Sequence, residues 1–327
     1  MNLLVTGGAG FIGSNFVHYM LENHPTYKVI NLDLLTYAGN IHNLDDVMDN
    51  PNHVFVQGNI KNKELVHHLV KEHSITHFVN FAAESHVDRS ILNPEIFVET
   101  NIQGTLTLLN VAKEMNIEKY LQVSTDEVYG SLGAEGYFTE ETSLAPNSPY
   151  SASKTGADLL VRAYYETYGM NVNITRCSNN YGPYHFPEKL IPLMITNGMD
   201  SKELPIYGDG LNIRDWLHVQ DHCQAIDLVL HKGRKGEVYN VGGHNERTNN
   251  QIVDIIIDQL DLPRELIKYV DDRLGHDKRY AIDPTKLETE LGWKPKYTFD
   301  TGIVETIEWF QHHEEWWRPL KERAGSN

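Results

Sequence analysis

Short apolar runs alternate with longer segments of helical periodicity over about the first 170 residues of the chain. The apolar runs predict strands at residues 2–6, 28–32, 54–57, 77–81, 120–124 and 171–176. The segments between them predict helices at residues 12–23, 63–73, 94–115 and 153–168. Because strands that alternate with helices pair in parallel and are covered on both faces, the pattern predicts a doubly wound α/β sheet.

The second half of the chain is less regular and is punctuated by proline and glycine after Asn180. Helical periodicity returns at residues 219–231, 248–260 and 302–323, and residues 237–241 look like one more strand of the main sheet. Residues 267–283 are basic and without a period, which predicts a loop. His312 and His313 are adjacent on a predicted helix and point in different directions, which argues against a shared metal ion.

The composition is that of a folded, acidic protein. Lys and Arg number 28 against 45 Asp and Glu, so the formal net charge is −17, which argues against nucleic acid or an anionic membrane as the main partner. Cys177 and Cys223 are the only cysteines and lack metal-ligand spacing, which predicts reduced thiols. No signal peptide precedes the first predicted strand, and no apolar run approaches the roughly 18 residues that span a bilayer. We therefore expect a cytoplasmic protein.

A glycine-rich turn follows the first predicted strand and opens the first predicted helix. Gly7, Gly10 and Gly13 have G-x-x-G-x-x-G spacing, which lets a tight turn approach a pyrophosphate at the helix N-terminus. Asp33 ends the second predicted strand, where a carboxylate binds both ribose hydroxyls and repels a 2′-phosphate. The sequence therefore predicts an NAD site. We interpret residues 1–180 as a Rossmann-type domain that carries the catalytic residues, and residues 181–327 as a smaller, interleaved C-terminal lobe that mainly binds the substrate.

Two groups of residues point to chemistry beside this cofactor. Tyr150 and Lys154 lie one helical turn apart, and the ammonium, together with the nicotinamide charge, would lower the pKa of the phenol toward working pH. The phenolate then accepts a hydroxyl proton while a hydride leaves the same carbon. Thr125, Asp126 and Glu127 follow the predicted strand at residues 120–124. Two adjacent carboxylates supply what a dehydration needs, namely a base for a carbon-bound proton and an acid for a departing hydroxyl.

These motifs together resemble the extended short-chain dehydrogenase/reductase superfamily over most of the chain. Within that superfamily the chain is similar to the dTDP-glucose 4,6-dehydratase family. The narrower resemblance is carried by residues 82–90 (AAESHVDRS), 124–130 (STDEVYG), 176–184 (RCSNNYGPY), 207–210 (YGDG), 214–216 (RDW) and 275–277 (GHD). Sugar-nucleotide 4-epimerases usually have small uncharged residues in place of Asp126 and Glu127, and GDP-mannose dehydratases typically keep only the glutamate.

The resemblance implies a lyase reaction in which the cofactor is reduced and reoxidised once per turnover. Tyr150 would take the proton of the 4-hydroxyl of dTDP-glucose as hydride passes from carbon 4 to NAD, and Thr125 would hold the 4-oxygen. Glu127 would then remove the proton on carbon 5 while Asp126 protonates the departing 6-hydroxyl. Return of the hydride to carbon 6 would give a 4-keto-6-deoxy sugar. No metal is implied.

The resemblance also implies two sets of binding residues. Those expected around NAD are Gly7, Gly10, Phe11, Ile12, Gly13, Asp33, Leu34, Leu35, Thr36, Asn59, Ile60, Phe81, Ala82, Ala83, Ser85, Thr100, Tyr150, Lys154 and Asn180. Those expected around the sugar nucleotide are Ser85, Thr125, Asn179, Lys189, Leu190, Pro205, Ile206, Tyr207, Arg214, Asn249, Arg273 and His276. From the residues alone, Arg214 and Arg273 are the strongest candidates to hold a diphosphate in an acidic protein. A homodimer through a four-helix bundle of residues 94–115 and 153–168 is implied as well.

Two residues depart from the family's pattern. Asn59 stands where the family usually has aspartate, and Leu274 stands where it commonly has proline. The carbonyl oxygen of Asn59 can still bind the adenine amino group. We expect Leu274 to loosen the phosphate-binding loop without removing a side-chain contact.

Three other functions stay open at this point. The first is a 4,6-dehydratase of another sugar nucleotide, such as UDP- or CDP-glucose, and the second is a 4-epimerase. The third is a catalytically silent NAD-binding regulator, which would be expected to lack Tyr150 or Lys154. Because both residues are present, the sequence favours an enzyme, while the identity of the nucleotide rests on the resemblance.

Overall fold

The centre of the fold is a parallel sheet of seven strands. The structure, a computed structural model, describes residues 1–272 and 274–325. The strands are β1 Asn2–Thr6, β2 Lys28–Asp33, β3 His53–Gln57, β4 His77–Asn80, β5 Lys119–Thr125, β6 Val172–Cys177, β7 Asn179–Tyr181, β8 Leu204–Tyr207, β9 Ile213–His218, β10 Val238–Val241, β11 Glu246–Thr248 and β12 Ile267–Val270. The large sheet has the order β3-β2-β1-β4-β5-β6-β10. All of its neighbouring strands are parallel.

The first six strands of this sheet have the order of dinucleotide-binding Rossmann folds. Strands β4, β5 and β6 are buried along their whole length, as expected for a sheet that is covered on both faces. All seven predicted strands are present, and each end lies within one residue of its prediction. In β5 the strand extends to Thr125, so this residue ends the strand instead of following it.

Helices cover both faces of the large sheet. They are α1 Phe11–Asn23, α2 Lys63–His73, α3 Val87–Leu92, α4 Glu95–Phe97, α5 Thr105–Glu114, α6 Pro149–Tyr168, α7 Leu190–Met199, α8 Val219–Lys232, α9 Asn249–Leu260, α10 Thr285–Leu291, α11 Phe299–His312 and α12 Glu314–Gly325. Short 3₁₀ helices lie at Ile41–Val47, Asp126–Tyr129 and Arg264–Leu266, and a π-helical segment lies at Val98–Gly104. Side chains of α1 and α8 share one core cluster with the sheet, whereas α2, α5 and α6 contribute to the cluster on the other face.

Helix α6 begins four residues before the predicted start. Ser148 and Ser151 form a reciprocal capping box, and Pro149 occupies the first helical turn, where its missing N–H costs nothing. Tyr150 therefore lies in the first turn of α6 and Lys154 in the second. The helix ends at Gly169, whose φ of +63° suits glycine.

The helix predicted at residues 94–115 is interrupted by the π-helical segment. Within it, Asn101 accepts a hydrogen bond from Glu84 N–H (2.9 Å) and donates to the Glu84 carbonyl oxygen (3.0 Å) and to Ser153 Oγ (2.8 Å). Asn101 is buried. The widened turn therefore couples the loop after β4 to α6, which fits the frequent occurrence of π-bulges near functional sites.

The second half of the chain contains more strand than its sequence predicts. Strands β11, β9 and β7 form a three-stranded sheet, and β12 pairs in parallel with β8. The prediction of a loop over residues 267–283 is therefore wrong for residues 267–270, which form β12. This strand is four residues long and partly exposed, so its pairing with β8 rather than its own periodicity decides its structure. The domain boundary at residue 180 stays a prediction, although β10 from the second half joins the large sheet as predicted.

The C-terminal helix predicted at residues 302–323 is two helices. Helix α11 ends at His312, and His313 has non-helical backbone angles before α12 begins at Glu314. Nδ1 of each histidine lies 2.7 Å from the carbonyl oxygen four residues earlier. Within residues 1–272 and 274–325, none of the helices is both long and apolar enough to cross a membrane.

Candidate active site

A cleft of about 640 Å³ lies at the carboxyl ends of the central strands. It opens where the strand order reverses between β1 and β4, which is the usual ligand site of doubly wound sheets. One wall consists of the glycine turn, the ends of β2, β4 and β5, and the start of α6. Residues of the C-terminal lobe form the other wall. One continuous cleft thus joins the predicted cofactor and substrate sites.

The glycine turn is shaped for close approach of a phosphate. Gly7 has a φ of +73°, and a Cβ atom there would lie 2.6 Å from the backbone nitrogen of Ala82. A Cβ atom at Gly13 would clash with the carbonyl oxygen of Gly7. Gly10 caps the N-terminus of α1, whose first residues line the cleft. These residues fit a dinucleotide pyrophosphate at the helix N-terminus.

Asp33 is held in place by two backbone N–H groups. Its Oδ1 accepts a hydrogen bond from Leu35 N–H (2.8 Å), and its Oδ2 accepts one from Ala9 N–H (2.9 Å). Burial raises the pKa of Asp33, and these two hydrogen bonds oppose the shift. Each carboxylate oxygen can accept a further hydrogen bond, so Asp33 fits a ribose diol.

Nearly every residue predicted for the cofactor lines the cleft. The lining residues of this set are Gly7, Gly10, Phe11, Ile12, Gly13, Asp33, Leu34, Thr36, Asn59, Ile60, Phe81, Ala82, Ala83, Ser85, Thr100, Tyr150, Lys154 and Asn180. Leu35 is the exception, because its side chain packs against the core and only its N–H contacts Asp33. Asn59 Oδ1 accepts a hydrogen bond from Lys61 N–H (2.9 Å) and has capacity for one more, as binding of an adenine amino group would require.

Tyr150 and Lys154 are both buried and both line the cleft. Lys154 Nζ donates a hydrogen bond to the Val123 carbonyl oxygen of β5 (2.8 Å). Burial lowers the pKa of Lys154, and the charge of Asp158 opposes that shift. The predicted lowering of the Tyr150 pKa depends on the nicotinamide charge as well as on Lys154, and it stays a prediction. Burial raises the pKa of this phenol well above its ordinary value, and the charge of Glu127 adds to the shift.

The 3₁₀ helix Asp126–Tyr129 begins directly after β5 and brings the predicted acids to Tyr150. Thr125 caps this helix, because its Oγ1 accepts a hydrogen bond from Glu127 N–H (3.2 Å). The Thr125 hydroxyl opposes the rise of the Tyr150 pKa. Thr125 and Glu127 both line the cleft. The end of β5 and the start of α6 therefore place the Tyr–Lys pair and the adjacent acids around one space.

Asp126 is buried more deeply than its predicted role implies. Its side chain is 2% exposed and is not among the residues that line the cleft. Thr125 Oγ1 lies 3.3 Å from its Oδ1, and within the described part of the chain its Oδ2 has no hydrogen-bond partner. Burial raises the pKa of Asp126 well above its ordinary value, Glu127 and Asp215 add to the shift, and Arg214 opposes it. Burial and the neighbouring carboxylates therefore favour the protonated form of Asp126, while Glu127 lines the cleft.

The residues predicted for the sugar nucleotide also line the cleft, with two exceptions. Those that line the cleft are Ser85, Thr125, Asn179, Lys189, Leu190, Pro205, Tyr207, Arg214, Asn249 and His276. Ile206 does not line it. Its side chain lies in the apolar core of the C-terminal lobe, because alternate residues of β8 point to opposite faces. Arg273 lies outside the described residues.

Arg214 and His276 are held by neighbours in the C-terminal lobe. The Arg214 guanidinium donates to the carbonyl oxygens of Ile213 (2.7 Å) and Asp277 (2.8 Å), and it lies 4.2 Å from the centroid of the Tyr280 ring. His276 Nδ1 lies 2.6 Å from an oxygen of Asp272. A preorganised cation beside this histidine suits a nucleotide diphosphate.

Several polar residues in the cleft were not predicted. Glu84, His86 and Glu188 line it, and His86 Nε2 lies 3.6 Å from Glu188 Oε1. Burial raises the pKa values of Glu84 and Glu188. Glu84 and His86 fall within the family motif at residues 82–90. The sequence therefore already pointed to the segment that carries these two residues. Nothing in the sequence connects Glu188 to them, because the loop before α7 meets this motif only in the folded chain.

One group of metal-ligand atoms comes together away from the cleft. Atoms of His24, Asp227 and His231 lie within 4.8 Å of one another. His24 Nε2 lies 3.0 Å from both oxygens of Asp227, and His231 Nδ1 lies 2.9 Å from Asp227 Oδ1. These are hydrogen-bond distances, and they connect the end of α1 to α8. The expectation that catalysis uses no metal stays a prediction.

The fold and the cleft place the chain among the extended short-chain dehydrogenases/reductases, in the class with acids beside the Tyr–Lys pair. The family model described as GDP-mannose 4,6 dehydratase matches residues 4–306. The chain belongs to the dTDP-glucose 4,6-dehydratase family within this group of nucleotide-sugar dehydratases.

The relatives support this assignment over nearly full length. A dTDP-glucose 4,6-dehydratase of Xanthomonas campestris pv. campestris (strain B100) is 53% identical, covering 96% of this chain and 94% of that protein. The crystal structure of dTDP-glucose 4,6-dehydratase from Bacillus anthracis str. Ames in complex with NAD has a TM-score of 0.93 and 58% identity, covering 98% of this chain and 99% of the other. The enzyme from Streptomyces venezuelae with NAD bound has a TM-score of 0.95 and 50% identity, covering 98% and 100%.

Proposed function

We propose that this protein converts dTDP-glucose to dTDP-4-keto-6-deoxy-glucose and water, with NAD as its cofactor. The observation that carries the proposal is the catalytic wall formed by Thr125, Glu127, Tyr150 and Lys154, with Asp126 buried between Thr125 and Glu127 in the chain. A simple dehydrogenase needs only the Tyr–Lys pair. An elimination of water also requires a base and an acid. Here the base is a carboxylate open to the cleft, and the acid is an adjacent buried carboxyl group whose protonated form is favoured.

The first stage is oxidation at carbon 4. Tyr150 takes the proton of the 4-hydroxyl, and Thr125, which lines the cleft with it, holds the same oxygen. When bound, NAD supplies the hydride acceptor and a positive ring charge that offsets the burial of the phenol. Lys154 is held by the Val123 carbonyl oxygen, one helical turn after Tyr150 on the same wall of the cleft. The resulting ketone acidifies the proton on carbon 5.

The second stage is elimination across carbons 5 and 6. Glu127 removes the proton on carbon 5, and Asp126 gives its proton to the 6-hydroxyl, which leaves as water. This step requires the Asp126 carboxyl to turn toward the cleft from its buried position next to Thr125. Its raised pKa keeps the proton in place until then.

The third stage closes the cycle. The hydride returns to carbon 6, and a proton is added to carbon 5. The cofactor is then as it began, and the sugar has lost one water molecule. Because no electrons are gained or lost overall, the enzyme is a hydro-lyase.

The nucleotide is held by the C-terminal lobe in this proposal. Arg214 and His276 hold the diphosphate together with Arg273, and the ring of Tyr207 stacks on the base. Tyr207 lies at the cleft wall, edge-to-face with His276 at 6.4 Å between ring centroids. Lys189 and Asn179 contact the sugar nucleotide from the same wall.

The experiment that tests the function is turnover of purified protein with dTDP-glucose. We expect a product with the alkali-induced absorbance of a 4-keto-6-deoxy sugar and no net change of NAD. Formation of dTDP-galactose instead would show a 4-epimerase. Faster turnover of UDP- or CDP-glucose would show a dehydratase of another nucleotide. NAD binding without turnover of any of these would show a regulator.

We also propose that two copies form a homodimer through a four-helix bundle. Val98 and Leu106, near α5, and Leu159 and Tyr168, on α6, are all exposed. These two neighbouring segments thus present apolar side chains to solvent, which is typical of a covered surface. A second copy of the same surface would bury them with two-fold symmetry.

Replacing Leu159 by glutamate should convert the dimer to a monomer, because it places two charges in an apolar interface. Mass measurement by light scattering after size-exclusion chromatography checks this outcome. Leu211→Glu is the matched control, because Leu211 is equally exposed but lies in the C-terminal lobe. A wild-type protein that runs as a monomer, or a Leu159→Glu variant that remains a dimer, would contradict the proposal.

We further propose that the protein acts in the cytoplasm. Cys177 and Cys223 are both free and buried, which suits a reducing compartment. Cell fractionation with detection of the chain in the soluble fraction tests the location.

A further inference from the structure

One buried arginine contacts both elements that carry the catalytic wall, namely α6 and the 3₁₀ helix Asp126–Tyr129. Arg176 lies on β6, opposite Ser124 of β5. Its Nε donates a hydrogen bond to Asp158 Oδ2 (2.9 Å), and its Nη1 donates one to the Tyr129 hydroxyl oxygen (3.0 Å). Arg176 is 5% exposed, Asp158 is 1% exposed and Tyr129 is 3% exposed, so water does not compete for these bonds.

The first contact belongs to the helix that carries the Tyr–Lys pair. Asp158 lies one turn beyond Lys154 and two turns beyond Tyr150, on the same buried face of α6. Within the described part of the chain, Asp158 Oδ1 has no hydrogen-bond partner, so Arg176 is its main anchor. The charge of Asp158 also opposes the lowering of the Lys154 pKa by burial.

The second contact belongs to the turn that carries the two acids. Tyr129 ends the 3₁₀ helix and lies two residues after Glu127. Its hydroxyl donates to Asn240 Oδ1 of β10 (2.8 Å), and its ring stacks on Phe138 with centroids 5.0 Å apart. Burial raises the pKa of Tyr129 to about 12, which keeps the proton that this hydrogen bond needs.

We propose that Arg176 and Tyr129 are positioning residues that hold Glu127 at a fixed distance from Tyr150. Neither Arg176, Asp158 nor Tyr129 lines the cleft, so all three act through the residues that do. Oxidation at carbon 4 and proton removal at carbon 5 occur in sequence on one bound sugar. Both bases must therefore be placed before the first step, and an error of about 1 Å costs about 100-fold in rate. The inference rests on the proposed function.

Tyr129→Phe tests the proposal, because it removes one hydroxyl and keeps the ring that stacks on Phe138. The Asp158–Arg176 pair keeps α6 and Tyr150 in place, so oxidation should continue while the turn with Glu127 loosens. We expect kcat to fall about tenfold with KM within about twofold, and the steady-state fraction of reduced cofactor during turnover to rise. Stopped-flow absorbance of the reduced nicotinamide measures the last quantity.

Tyr164→Phe is the matched control, because Tyr164 is a buried tyrosine far along α6 whose hydroxyl donates a hydrogen bond to Asn110 Oδ1 (2.7 Å) and does not contact the turn with Glu127. The control should keep wild-type kcat and wild-type levels of reduced cofactor. Equal behaviour of the two variants, or a fall in kcat without accumulation of reduced cofactor, would overturn the positioning role. An inactive wild-type protein would instead overturn the proposed function.

Arg176→Lys provides the second test if Tyr129→Phe does not fold. Lysine keeps a positive charge beside Asp158 but lacks the fork that reaches Tyr129 at the same time. We expect the same rise in reduced cofactor during turnover. If the fraction of reduced cofactor during turnover of this variant equals that of the wild type, the proposal is overturned.

Discussion

Glu127→Gln should stop the reaction after oxidation at carbon 4. The amide has nearly the shape of the carboxylate but cannot accept the proton on carbon 5. The turn should stay intact, because glutamine keeps the backbone N–H that donates a hydrogen bond to Thr125 Oγ1 (3.2 Å). Net dehydration should fall by about 10²–10⁴-fold, the usual contribution of a general base, while reduced cofactor accumulates on the enzyme.

Turnover in heavy water separates the two stages of this variant. The wild-type enzyme should place deuterium at carbon 5 of the product, whereas Glu127→Gln should form reduced cofactor without exchange at that carbon. Glu141→Gln is the matched control, because Glu141 is exposed and outside the cleft, and it should behave as wild type. Full dehydration by Glu127→Gln would show that another group removes the proton on carbon 5.

Tyr150→Phe should prevent even the first stage. It removes only the phenol oxygen, and the ring can keep its edge-to-face contact with Phe97 at 6.4 Å between centroids. Without that oxygen the 4-hydroxyl has no base, so neither reduced cofactor nor product should form. The expected loss in kcat is again about 10²–10⁴-fold, with NAD binding retained.

The two variants differ in the state of the cofactor and not only in rate. Absorbance of reduced nicotinamide after mixing with dTDP-glucose should be present with Glu127→Gln and absent with Tyr150→Phe. Tyr164→Phe controls for the loss of a buried phenol on the same helix and should form product at the wild-type rate. Reduced cofactor in Tyr150→Phe at wild-type levels would reject Tyr150 as the base.

The electrostatics of the site could be predicted only in part. The sequence indicates that Tyr150 and Lys154 lie on one helix face, and they do. It also suggests a lowered pKa for the phenol, whereas burial and the charge of Glu127 raise it. Local spacing determines which groups are neighbours along a helix. The sign of a pKa shift depends on how much water remains and on charges that arrive from other elements.

The unequal environments of the two acids also appear only in the fold. Asp126 and Glu127 are adjacent and chemically similar, so their assignment as acid and base came from the family resemblance and not from the two residues themselves. The 3₁₀ helix directs Asp126 into the protein beside Asp215 and leaves Glu127 at the cleft. This difference supports their assignment as acid and base. It could not be predicted, because Asp215 is brought there by β9 from the other half of the chain.

The sequence by itself determined the elements whose signals are local. Strands buried on both faces appear as apolar runs, the glycine turn needs residues without side chains, and Asp33 must end β2 to meet a ribose. Short-range geometry sets each of these. The reaction could be inferred from the sequence for the same reason. The residues that indicate it, Thr125, Asp126 and Glu127, are contiguous in the chain and form one recognisable family motif.

Only the tertiary structure decided the features that join distant segments. Strand β12 exists because β8 lies beside it, Ile206 turns into the core because Pro205 and Tyr207 face the cleft, and Glu188 meets His86 across two loops. Arg176 connects α6 to the turn with Glu127 through contacts that span β6 and β10. These four structural features have the same physical cause. Pairing, burial and charge depend on what packs against a residue, and that information is spread over the whole chain.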